Sequence, residues 1–70
     1  MDDQKIIGAN LRKARKKRKL TQVELAKLAG VNANYYSQLE RGRVKGNISS
    51  KTVKKLSEAL GIKSSDILPF

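Results

Sequence analysis

Residues 32–43 read NANYYSQLERGR, and they hold both tyrosines of a chain whose third and last aromatic is a phenylalanine. Asn34, Ser37, Gln38 and Arg41 recur three and four positions apart, so on a helix they share one face with Ala33, within an arc of roughly 140°. Tyr35, Tyr36, Leu39 and Glu40 fall on the other side. The amides can donate and accept at once, the hydroxyl can do either, and the guanidinium presents a planar fork of donors. This set makes no bonds and breaks none. It is suited to matching a pattern of donors and acceptors on another molecule, while the tyrosines and Leu39 pack, with Tyr36 the more buried of the pair and Tyr35 at the rim.

The residue types that catalysis needs are missing. The chain has no cysteine and no histidine, which excludes a Cys/His zinc site, a thiol nucleophile and a histidine base. Its acids are scattered singly, and no carboxylate pair stands ready to hold a metal for phosphodiester hydrolysis. No catalytic residue, metal site, cofactor or small-molecule ligand is expected, and the chain does not read as an enzyme.

Sixteen Lys and Arg against six Asp and Glu leave a net charge of +10 on 70 residues. Such an excess repels itself in the folded state and is usually matched by a polyanion. Nucleic acid is the first candidate; anionic membranes and acidic proteins attract the same charge. No apolar run approaches the ~20 residues that span a bilayer, and MDDQK puts acids where a signal peptide carries positive charge. Membrane insertion is not expected, and a cytoplasmic location is.

These features imply elements to hold them. Ile7, Leu11, Ala14 and Arg18 line one side of a helix over about residues 4–18, which turns most of the basic run RKARKKRK outward. Thr21 and Glu24 form a capping box, flanked by Leu20 and Leu25 at staple spacing, so a second helix starts at Gln22. Gly30 ends it in a left-handed turn, and Asn32 caps the third helix at once, with Val31 and Tyr36 repeating the staple. So short a turn makes the two helices cross steeply. Gly42 closes the third helix, and RVKGN follows as a basic loop. Ser49 caps a fourth helix with Val53, Leu56, Ala59 and Leu60 on one face, Gly61 stops it, and SSDIL forms a fifth, short helical turn before Pro69. The reading is one all-α domain over residues 1–70, with five helices.

The outward set on the third helix fits base edges: Asn and Gln bond bidentately to adenine, Ala touches a thymine methyl, and Arg takes guanine or a phosphate. The segment QVELAKLAGVNANYYSQLER, residues 22–41, resembles the helix-turn-helix of the Cro and phage-repressor (Xre-type) family. The matching features are Gln22 opening the first helix, Leu25 with Ala26, Gly30 at the turn, Val31, then Tyr36 and Leu39, followed by Glu40, Arg41 and Gly42.

The resemblance implies a lambda-repressor-like fold and a DNA-binding transcriptional regulator of prokaryotic or phage type, associated with the nucleoid. It places Ala33, Asn34, Ser37 and Gln38 against bases. Gln22, Arg41, Arg43 and Lys45 are placed against the DNA backbone, where the rim position of Tyr35 on its helix lets its hydroxyl reach solvent or a phosphate as well, and the helix opened by Gln22 directs its N-terminus at a phosphate. It pairs Arg15 with Glu40, makes Ala26 small where two helices nearly touch, and joins two subunits through Ile62, Ile67, Leu68 and Phe70. The family more often has a branched aliphatic at the position of Tyr36, so that hydroxyl must find a partner or the helix must tilt. The loop RGRVKGNIS is also longer than the common form. The alternative is a protein-interaction module, antitoxin-like or an antirepressor partner, that keeps the fold. RNA recognition, which relies on aromatic stacking in loops, fits poorly with two tyrosines that lean inward.

Overall fold

The computed structural model describes residues 3–44 and 48–69. Lys45 and Phe70, expected at the DNA backbone and in a subunit contact, lie outside the described residues. Four α-helices follow one another: α1 (Asp3–Lys17), α2 (Gln22–Ala29), α3 (Ala33–Glu40) and α4 (Ser50–Leu60). Among the described residues there is no strand.

The expected fifth helix is a single 3-10 turn, Ser64–Asp66. Gly61 ends α4 in a left-handed conformation and Pro69 stops the chain from continuing a helix, and a short i→i+3 turn forms between them. Asp66 closes it by accepting from the Lys63 backbone N–H at 3.1 Å.

Local signals set the helix ends. Thr21 Oγ1 accepts from the Glu24 N–H at 3.1 Å, and Glu24 accepts in return from the Thr21 N–H at 2.9 Å, which satisfies two of the otherwise orphaned donors of α2. Gly30 has φ +71°, and its N–H bonds back to the last turn. The Asn32 side chain accepts from the N–H groups of Asn34 and Tyr35. Ser49 caps α4 through the Thr52 N–H at 3.1 Å.

The core forms where the helices meet. Leu11, Leu25, Ala26, Tyr36, Leu56, Leu60 and Ile67 are at most 1% exposed. Gly8 is buried on α1, and a Cβ there would lie 2.5 Å from the Glu40 carbonyl oxygen and 2.6 Å from that of Leu39. The backbone at the end of α3 therefore lies directly on α1. Arg18 donates to the Leu60 carbonyl at 3.2 Å and Asn10 to the Ile67 carbonyl at 3.0 Å, tying α1 to the C-terminal segment.

Ile67 corrects an expectation. It is wholly buried in its own subunit and so is not available as a subunit contact. The short terminal turn packs back on α4 rather than projecting from the domain, and Asn10 of α1 holds the Ile67 carbonyl.

Candidate nucleic-acid interface

An ion pair fixes how α3 sits on the helices before it. Arg15 of α1 holds both oxygens of Glu40, with Nε at 2.5 Å from Oε2 and Nη2 at 3.1 Å from Oε1, a bidentate arrangement. The third guanidinium nitrogen donates to the Leu20 carbonyl at 2.8 Å, just before α2. Gln22, the first residue of α2, donates its amide to Glu40 Oε1 at 3.1 Å. One carboxylate thus ties together α1, the start of α2 and the end of α3.

The pair is secluded, with side-chain exposures of 12% for Arg15 and 4% for Glu40. Burial pushes the Glu40 carboxyl up, but the hydrogen bonds from Arg15 and Gln22 together with the Arg15 charge outweigh it and hold Glu40 below the ordinary carboxylate value. Tyr36 lies beside this pair, fully buried. Its phenol is pushed well above its usual range, by burial first and by the neighbouring Glu40 second. Its hydroxyl nevertheless has no partner at hydrogen-bonding geometry. Finding such a partner was one way the sequence could accommodate a tyrosine here, and that outcome is not realised: the ring fills core volume, and the oxygen lies beside the pair without joining it.

With the other side of α3 held this way, the polar stripe turns outward. Asn34, Gln38 and Arg41 are exposed or partly so, while Ala33 and Ser37 are partly covered. Tyr35 is half-buried with its ring against the core, as a rim residue should be. Asn32, although polar, is engaged in capping. Arg43 lies beyond the helix, and its N–H bonds to the Gln38 carbonyl at 3.0 Å, which fixes where the chain leaves α3. Gln22 keeps one amide N–H for an outside acceptor after the other is given to Glu40. The stripe and the start of α2 are brought together by Glu40.

Ala26 is 1% exposed, and its carbonyl accepts the Val31 N–H at 2.9 Å, which closes the turn between α2 and α3. Sequence reasoning missed Gly8 and the dual role of Gln22. A glycine inside a helical pattern was the available signal for the first.

A family profile described as Helix-turn-helix matches residues 11–67. The chain belongs to the helix-turn-helix family, of the Xre and phage-repressor type. That family consists of DNA-binding transcription regulators and is not an enzyme family. This helix-turn-helix protein is 39% identical over 62 residues to the uncharacterized HTH-type transcriptional regulator y4dJ of Sinorhizobium fredii, covering 89% of this chain and 78% of that one. It is similar to the crystal structure of the restriction-modification controller protein C.AhdI from Aeromonas hydrophila, with a TM-score of 0.88 and 32% identity over 97% of this chain and 100% of that chain. The P22 c2 repressor, crystallised with a synthetic operator, matches with a TM-score of 0.80 and 33% identity over 91% of this chain and 94% of its own.

Proposed function

We propose that this helix-turn-helix protein regulates transcription by binding a specific duplex DNA site in the bacterial or phage-infected cytoplasm, with α3 in the major groove. The observation that carries the reading is the outward amide and arginine stripe of α3, held rigidly against α1 and α2 by the Arg15–Glu40–Gln22 cluster. Ala33, Asn34, Ser37 and Gln38 face the bases. Gln22, Tyr35, Arg41, Arg43 and Lys45 hold the phosphates on either side. No helix among the described residues is long and apolar enough to cross a membrane. Two subunits related by a two-fold axis read half-sites about one DNA turn apart, joined through the half-buried Ile62 and Leu68.

Selection of bound sequences from random duplex DNA tests this reading. A palindromic consensus is expected. Asn34→Ala then relaxes choice at one base pair of each half-site, by about 1 to 3 kcal/mol of discrimination, and leaves unrelated DNA bound as before. Arg43→Ala lowers affinity for all sequences alike. Recovery of no consensus would favour the protein-interaction alternative, and equal weakening of specific and non-specific binding in Asn34→Ala would remove α3 from the groove.

A further inference from the structure

An open cleft of about 600 Å3 lies where α1 passes the end of α4 and the turn that follows it. Its floor is apolar, from Ala14, Leu60 and Ile62, and the exposed Lys13, Lys17 and Arg18 of α1 stand at its rim against one acid, Asp66. The stripe on α3 does not account for this charge. Ala14 and Arg18 lie roughly 120° to 160° round α1 from Arg12 and Lys16, which flank the end of α3. The cleft therefore opens on another side of the domain.

Its polar groups are anchored. Arg18 gives one N–H to the Leu60 carbonyl at 3.2 Å, and the rest of its guanidinium fork suits a carboxylate. Asn10, also in the lining, donates to the Ile67 carbonyl at 3.0 Å, which leaves its amide oxygen as an acceptor. Asp66, already closed on the Lys63 N–H, is a second acceptor. We infer that the cleft takes an extended acidic segment of a partner protein, with its carboxylates on the cations, its apolar side chains on the floor and backbone N–H groups on Asn10. Lys13 and Lys17 are about 6 Å apart along α1, close to the ~7 Å between alternate residues of an extended chain. A sugar–phosphate backbone would bring neither N–H donors for Asn10 nor apolar surface for Leu60 and Ile62. A second copy of this chain would bring a further net charge of +10. Under the paired reading of DNA proposed above, on which this consequence rests, Ile62 also joins the subunits. An occupied cleft and a paired subunit then exclude each other, and the acidic partner releases the operator.

Selection from displayed random short peptides on the intact protein tests this. An acidic consensus interspersed with apolar residues is expected. Lys17 is exposed, so melting of Lys17→Glu should report an intact fold, while the recovered peptides should bind that variant at least tenfold more weakly and regain affinity when one of their glutamates is made lysine. In a second arm, a saturating recovered peptide should weaken binding to the palindromic duplex and leave a single half-site bound as before. No acidic consensus, peptides that bind Lys17→Glu as tightly as wild type, or a bound peptide that leaves the palindrome held would each overturn the inference. Wild type that fails on the palindrome with no peptide present would overturn the DNA reading instead, and the Lys17 comparison would still decide the docking.

Discussion

At the scale of single residues, Glu40 has the most depending on it, because three helices meet at its two oxygens. Glu40→Ala leaves the Arg15 guanidinium without its partner in a secluded site, and the expected cost is about 3 to 5 kcal/mol of unfolding free energy; a cost within about 1 kcal/mol would place the pair with ordinary surface bridges. The same carboxylate makes stability depend on pH. It titrates below its ordinary 4.5 in the folded state, so its contribution is fully present above that value and fades as pH falls through the folded pKa. Denaturant melts in the acid range should therefore converge for wild type and Glu40→Gln, having differed at pH 7. Tyr36 behaves in the opposite sense. An unpartnered buried hydroxyl carries a desolvation cost of about 1 to 3 kcal/mol, so Tyr36→Phe, which keeps the ring, should hold or raise stability by up to about 1 kcal/mol. A clear decrease would mean that the hydroxyl bonds to Glu40 in solution.

At the scale of elements, two glycines separate local from tertiary demands. Gly30 needs its left-handed φ of +71° but has open space where a Cβ would go, whereas Gly8 is helical and lies against the Leu39 and Glu40 carbonyls. Gly30→Ala should cost about 1 to 2 kcal/mol through backbone conformation alone. Gly8→Ala adds about 1 kcal/mol of helix propensity yet should still destabilise, by about 1 to 3 kcal/mol of overpacking, because backbone cannot move aside as a side chain can. Chemical denaturation of both variants checks the contrast. It also marks what the sequence could disclose. Thr21, Glu24, Gly30, Asn32 and Ser49 act on neighbours within a few residues, so capping and turn chemistry located α2, α3 and α4 to within a residue. The outward stripe was legible for the same reason, since its spacing is that of its own helix. Gly8 under α3, the orphaned hydroxyl of Tyr36 and the burial of Ile67 depend on partners distant in sequence or on packing in three dimensions. Periodicity carries no information about those.

At the scale of the whole molecule, the +10 charge has two consequences that salt should drive in opposite directions. Folded, the exposed cations of α1 and of the segment after α3 are held closer together than in an extended chain, and added salt relieves their repulsion once the Debye length falls to about 10 Å near 0.1 M. The secluded Arg15–Glu40 pair is screened far less, so its contribution survives. Melting temperature should therefore rise between about 0.05 and 0.5 M monovalent salt. DNA affinity should fall over the same range, with a log–log slope of about −0.9 for each phosphate engaged. Measuring both on one preparation separates a charge excess retained for a polyanion from one that merely solubilises the surface. A melting temperature that drops with salt would mean that attractive surface pairs outweigh repulsion in the fold. A flat binding slope would mean that the exposed cations, those of the segment after α3 included, do not meet phosphate, whatever the stripe on α3 contacts.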